Sequence, residues 1–226
     1  MIAAEIEGLH QRMAEAPEQP GITVSWEDGP SPRRIRQLMG SELVSPQLDA
    51  VSRSEPLLAV LRQLIGPDVR LYHSKLMMKA AGDGSFTPWH QDFQYWVRES
   101  LRSTQVNCML SIDASDEANG ALRMVDGSHR LGLLEATRTN ASSFSIGLPG
   151  DLAAWPATLV ETSPGDAIFF GAYVVHGSGP NTSPRDRRAN TFAFDAMGNW
   201  RPGVYGRQEL PPESWRCGRG PGVSPG

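Results

Sequence analysis

Two histidines and one aspartate carry the sharpest chemical signal in this chain of 226 residues. His90 and Asp92 stand two apart in Trp89-His90-Gln91-Asp92. Residues two apart on an extended strand point to the same side, so an imidazole and a carboxylate face one point. His176 closes an apolar run, Ala167 to Val175, and a turn-forming segment follows, Gly177-Ser178-Gly179-Pro180-Asn181. Two histidines and one carboxylate from separate strands form the ligand face of non-haem Fe(II) oxygenases. Such a face leaves three positions open, two for a chelating 2-oxo acid and one for O2. The same donors also suit a zinc hydrolase with an open water position. A non-catalytic jelly-roll binding protein is the plainest alternative, and an intact ligand set speaks against it.

A 2-oxo diacid needs a cation at its far end. Arg187 begins the next strand candidate after His176, and its planar fork can grip a carboxylate with two hydrogen bonds. Ser178 can add a hydroxyl from the turn. Taken alone, Arg185, Arg187 and Arg188 would read as a solvated charge run. A zinc hydrolase has no use for Arg187 in this place, and no glutamate beside the triad offers itself as a general base.

Four motifs together resemble the phytanoyl-CoA dioxygenase family. They are Trp89-His90-Gln91-Asp92, Asn119-Gly120-Ala121-Leu122 running on to Gly127-Ser128-His129-Arg130, Pro164-Gly165-Asp166-Ala167 with Phe170, and His176-Gly177-Ser178-Gly179-Pro180-Asn181 followed by Arg187. The resemblance spans roughly residues 50–198. It implies an Fe(II)- and 2-oxoglutarate-dependent dioxygenase on a double-stranded β-helix, a jelly-roll, cupin-like core. Carried over residue by residue, it makes His90, Asp92 and His176 the iron ligands, Arg187 the partner of the distal carboxylate of 2-oxoglutarate, and Ser178 its hydroxyl companion. It also places Lys75 and Met109 near the cosubstrate. Asn107, on the same strand face as Met109, is a candidate for hydrogen bonding to the cosubstrate or the substrate. The alternative for Lys75 is a lysine snorkelling from a strand edge. An aspartate at position 92 argues against halogenation, because related halogenases carry a small residue there. Hydroxylation of an unactivated C–H with release of succinate and CO2 is the expected outcome, with desaturation, epimerisation and ring closure open to the same metal set.

The substrate is expected to be a small metabolite rather than an acyl-CoA, because the formal charge of −4 supplies no general basic field for phosphates. For the same reason neither nucleic acid nor an anionic membrane is an expected partner. Gln91, Gln94 and Trp96 are the candidate substrate contacts, with Tyr95 and Arg98 beside them. Core packing is the alternative reading for the aromatic residues. Both a monomer and a homodimer fit the sequence.

The elements that must position these residues are mostly strands. Val69–Met78, Gln105–Ile112, Ala121–Val125, Ala167–Val175 and Thr191–Phe194 are short strand candidates bounded by turn clusters. Gly 23 and Pro 18 among 226 residues exceed the ordinary usage of roughly 12%, as many turns require. Upstream, Ile2, Ile6, Leu9 and Met13 have amphipathic helical spacing, and Pro32–Leu38 and Pro56–Ile65 read as helices with proline in the first turn, the former with Arg33, Arg34 and Arg36 on a solvated face. Residues 1–200 are therefore expected as one domain that is mainly β with flanking helices: a helical part over 1–66, a β core over 67–200, and a Gly/Pro-rich tail over 201–226. The segment 131–163 has little pattern. Two cysteines, no apolar run near membrane-spanning length and no secretory leader pattern point to a cytoplasmic setting. Among 21 basic residues only Lys75 and Lys79 are lysines, and both fall in one apolar, strand-like segment.

Overall fold

A computed structural model describes residues 2–15, 19–27, 34–141, 144–148 and 156–201. Helices α1 (Ile2–Glu7) and α2 (Leu9–Glu15) are separated at Gly8; β1 (Thr23–Trp26) and β2 (Ile35–Met39) form a hairpin. Helices α3 (Ser41–Val44), α4 (Pro46–Ser52) and α5 (Glu55–Ile65) lead into β3 (Val69–Lys79) and β4 (Thr87–His90). Helix α6 (Phe93–Trp96) precedes β5 (Val106–Ser111) and β6 (Leu122–Val125). The pair β7 (Thr137–Ala141) and β8 (Phe144–Gly147) is followed by β9 (Ala157–Val160), β10 (Ala167–Gly171), β11 (His176–Ser178) and β12 (Arg187–Ala196).

Two antiparallel sheets face each other, ordered β1-β2-β3-β12-β5-β10 and β4-β11-β6-β9. Successive strands cross between them, which is the winding of a jelly roll. The alternation of β3 shows how the layers divide. Leu76 and Met78 join Ile6, Leu9, Met13, Ile35 and Leu38 in a core beneath the N-terminal helices. Phe192 and Phe194 of β12 join Leu48, Leu57, Leu58 and Leu61 in a second core beneath α4 and α5. Each such side chain removed from water contributes roughly 1.5–3 kcal/mol. The helices thus bury the outer face of the larger sheet, and the inner face is left to line the space between the sheets.

One irregularity serves that inner face. The β3–β12 register steps from Ala193↔His73 to Phe194↔Leu71, so Tyr72 is an extra residue. A bulge of this kind re-aims side chains. Leu71 goes to the outer core, whereas Tyr72 packs with Phe93, Trp96 and Ala193. Tyr72 and His73, although adjacent in sequence, both line one cavity with Trp96.

Several expectations are corrected here. Pro32–Leu38 does not form a helix: residues 35–39 are strand β2, paired with β3 from Gln37↔Met77 to Met39↔Lys75. The three-residue spacing of Ile35 and Leu38, which reads as a helical face, reflects the irregular start of that strand beside the register shift at Trp26. The part before residue 66 is accordingly not purely helical. Arg36 is buried rather than solvated, and Arg34 reaches Asp186 at 3.2 Å. The apolar run that begins at Ala167 leaves its strand at Gly171, crosses between sheets, and enters β11 at His176. The weakly patterned 131–163 segment supplies β7, β8 and β9. The expected tail lies, from residue 202 onward, outside the described residues, as does Cys217; Cys108 is buried and free. No described helix is long and apolar enough to cross a membrane.

Candidate metal centre

His90 is the last residue of β4 and His176 the first of β11, and the two are direct register partners. Their rings lie 4.2 Å apart between centroids. Asp92 reaches the same point by a different route from the one its spacing implies. It is no longer extended (φ −61°, ψ −30°) but stands at the start of α6, so a tight turn swings the carboxylate back over the strand end. His90 Nε2 is 3.7 Å from Asp92 Oδ1, and His176 Nε2 is 3.5 Å from Asp92 Oδ2. One donor atom from each of the three residues lies within 4.8 Å of the other two, and all three residues are buried.

Each ligand is oriented from behind. Main-chain carbonyls accept from the two Nδ1 atoms, Pro88 O from His90 at 2.8 Å and Val174 O from His176 at 2.9 Å. That arrangement leaves both Nε2 lone pairs directed at the shared point, as metal-binding histidines require. Asn107 Nδ2 donates to Asp92 Oδ2 at 2.7 Å, and Lys75 Nζ stands 3.6 Å from Asp92 Oδ1. Burial lowers the pKa of both imidazoles, that of His90 to about 3. Against the upward push of burial, Lys75 and the histidines hold the Asp92 carboxyl well below the usual carboxylate range. Two neutral imidazoles and one carboxylate, with no thiolate, form a donor set suited to Fe(II).

The triad opens into a cavity of about 460 Å³. Met77, Met109, Leu122 and Phe170 give it apolar walls, and Ser178, Lys79 and Arg187 also line it. Arg187 is buried. Its Nη2 donates to Gly120 O at 3.1 Å, and its Nε has no partner among the described residues. Burial depresses its pKa to about 10, opposed by Asp113. A second cavity, of about 620 Å³, is lined by Tyr72, His73, Trp96, Met39, Gly40 and the Gly21–Thr23 segment. There Tyr72 and His73 both meet Trp96 edge-on, at 5.6 and 5.5 Å.

The structure therefore brings together His90, Asp92, His176, Ser178, Arg187, Lys75 and Met109 around one cavity. Asn107 stands behind Asp92 rather than on the cavity wall. Gln91 is fully buried, and its amide is spent on Gly132 O, Tyr173 O and Leu134 N. Gln94 Nε2 donates to Leu134 O at 3.3 Å, so both glutamines hold the 132–134 loop. Trp96 lines the second cavity; Tyr95 packs edge-on against His90, and Arg98 is exposed. Sequence reasoning gives no site role to Lys79, Thr191, Tyr72 or His73. The alternation His73, Lys75, Met77, Lys79 along β3 is the signal that places two of these side chains, His73 and Lys79, on one face with Lys75 and Met77.

Comparisons with known proteins agree with this geometry. Residues 1–189 match the family model described as phytanoyl-CoA dioxygenase. An ectoine dioxygenase from Bordetella parapertussis is 28% identical, over 93% of this chain and 72% of that protein. An L-proline trans-4-hydroxylase from Streptomyces griseoviridis is 27% identical, over 86% and 79%. A 2-aminoethylphosphonate dioxygenase from an uncultured bacterium is 28% identical, over 95% and 82%. Among solved structures, EctD from S. alaskensis with 2-oxoglutarate and 5-hydroxyectoine superposes with a TM-score of 0.68, at 22% identity, over 93% of this chain and 74% of that one.

Proposed function

The chain belongs to the phytanoyl-CoA dioxygenase family, and from that membership and the two cavities we propose that it hydroxylates an unactivated C–H of a small, polar, nitrogen-bearing metabolite held beside Trp96. The chemical type is that of a non-haem iron, 2-oxoglutarate-dependent dioxygenase. Iron with 2-oxoglutarate and O2 supplies the oxidation, and succinate and CO2 leave as co-products. His90, Asp92 and His176 would hold the metal. The names of the relatives, ectoine dioxygenase, L-proline trans-4-hydroxylase and 2-aminoethylphosphonate dioxygenase, support the substrate class.

One observation carries the assignment of the two cavities. The inner face of β3 presents His73, Lys75, Met77 and Lys79 in a row. Lys75 stands beside Asp92, so the triad divides the row: Lys79 and its register partner Arg187 lie at one end, His73 with the aromatic cavity at the other. The buried cations suit the distal carboxylate of 2-oxoglutarate, with Arg187 and Ser178 as its anchors. Lys75 and Asn107 keep the Asp92 carboxylate aimed, and Lys75 and Met109 border the cosubstrate. Tyr72, His73 and Trp96 offer ring edges and faces that position a small substrate, and Met77, Met109, Leu122 and Phe170 give the metal cavity apolar walls that exclude water. Gln91 and Gln94 act on the substrate only through the loop that they hold. No glutamate, and no aspartate besides Asp92, lines either cavity among the described residues, so a zinc hydrolase would have no carboxylate base there.

The test is succinate release from the Fe(II)-loaded protein in air, against a panel of small amino acids, cyclic amino acids and aminophosphonates. At least one is expected to accelerate release, with one oxygenated product per succinate. Trp96→Ala should raise KM for that compound and leave KM for 2-oxoglutarate in place. Acceleration by acyl-CoA thioesters alone overturns the substrate class.

A further inference from the structure

Lys79 is a buried amine in a setting that does not favour its charge. It is 5% exposed, and no carboxylate lies within ion-pair distance among the described residues. Its Nζ donates to two main-chain carbonyls, Ser85 O and Gly179 O, each at 2.6 Å. A neutral amine has two N–H groups and satisfies both carbonyls; only the ammonium has a third to offer. The backbone closes tightly around the side chain. A Cβ at Gly84 would lie 2.8 Å from Lys79 Cα, and one at Gly120 (φ +79°) would lie 3.1 Å from Lys79 Cδ and 2.6 Å from Gly179 O. The amine is therefore held at the Arg187 end of the metal cavity, which it lines.

The charged groups acting on it come from three neighbouring elements. Arg187 on β12 and Arg36 on β2 repel the ammonium, and Glu27, just beyond β1, attracts it. The Glu27 carboxylate is engaged with the main-chain N–H and the hydroxyl of Ser85, and Arg36 Nη2 donates to Phe86 O at 2.8 Å. Three basic side chains thus face one acid, all buried, and the surplus positive charge borders the cavity. Burial, followed by the two arginines, brings the Lys79 pKa down to about 7. An anion arriving at this end reverses that balance, because an opposite charge close by favours the charged amine.

We propose that Lys79 is a second binding residue for the distal carboxylate of 2-oxoglutarate, and that its amine gains a proton as the cosubstrate enters. The proton comes from solvent and adds to the Nζ lone pair, and the new N–H faces the carboxylate while the two carbonyl bonds persist. This rests on the reading that 2-oxoglutarate occupies the cavity beside Arg187. Binding coupled to proton uptake weakens as pH rises through the range in which the empty site has lost the proton and the filled site has kept it.

Anaerobic calorimetry of the Fe(II)-loaded protein with 2-oxoglutarate, in buffers of different ionisation enthalpy near pH 8, counts the protons directly. The expected uptake approaches one proton per 2-oxoglutarate, and Kd should rise by up to about tenfold per pH unit above pH 7. In Lys79→Met both the uptake and the pH slope should vanish, with weaker binding at pH 7. Binding of 2-oxoglutarate without proton uptake by the unaltered protein overturns the role of Lys79 and leaves the cosubstrate site standing. Failure of the unaltered protein and of Arg187→Met alike to bind 2-oxoglutarate at any pH overturns the cosubstrate reading and the proposal with it.

Discussion

Replacing Arg187 by methionine separates function from stability. Arg187 is 4% exposed, its Nε has no partner among the described residues, and its Nη2 donates to Gly120 O. Removing one side of a buried, charge-assisted contact costs about 2–5 kcal/mol of binding. At 1.4 kcal/mol per tenfold, Kd for 2-oxoglutarate should rise roughly 30-fold to several thousand-fold. The unliganded fold should respond in the opposite sense. Exchanging a buried charge for an apolar side chain of similar length stabilises by about 1–4 kcal/mol in comparable cases. The lost bond to Gly120 O gives back about 1 kcal/mol. For a chain of this size, each kcal/mol moves Tm by about 2–4 °C. The metal-free variant should therefore melt no lower than the parent, and up to roughly 10 °C higher. Calorimetric titration with 2-oxoglutarate and a melting curve without it give the two numbers. A Kd within threefold of the parent, or a Tm lower by 5 °C or more, refutes the reasoning, the latter by showing that Arg187 is part of the framework.

Three further outcomes are expected. Asn107→Leu removes the donor to Asp92 Oδ2 and should weaken Fe(II) binding by about 10- to 100-fold, as for other groups behind metal ligands, read by anaerobic metal titration; unchanged affinity contradicts the positioning role. Gly40 has φ +76°, and a Cβ there would lie 2.4 Å from Gly21 O, so Gly40→Ala should cost at least about 1–3 kcal/mol, read by denaturant unfolding. Lys79 has a folded-state pKa near 7 against 10.5 when exposed, so between these values the unfolded chain binds more protons and stability rises with pH. The metal-free protein should gain stability from pH 7 to 9 relative to Lys79→Met, and a flat difference contradicts the buried, unpaired amine.

The chemistry of the site was legible in the sequence because it depends on residue types at short spacing. His90, Asp92 and His176 needed only two strand ends and a turn to meet, and Arg187 follows in the next strand. Even so, the reason for the His90–Asp92 convergence differs: Asp92 turns back at the start of a helix instead of continuing a strand. The residues that sequence reasoning missed act over longer separations. Tyr72 faces inward because of a bulge opposite β12, about 120 residues further along the chain. Lys79 has its character set by Arg36, Gly84, Gly120, Gly179 and Arg187, which no local pattern links. Gln91 and Gln94 looked like ligand contacts because they flank the triad, but their amides are spent on the 132–134 loop. Strand β2 was hidden by a proline and three arginines that favour a solvated helix. Pairing with β3 outweighed that local preference.

The most direct test is optical. Fe(II), then 2-oxoglutarate, is added to the protein without oxygen, and the visible charge-transfer band of the chelated complex is followed. The band should appear with both additions, be absent with either alone, and be lost in His176→Ala and in Asp92→Ala. Absence of the band in the unaltered protein, with zinc bound tightly at the same three residues, contradicts the assignment of this site to iron and 2-oxoglutarate.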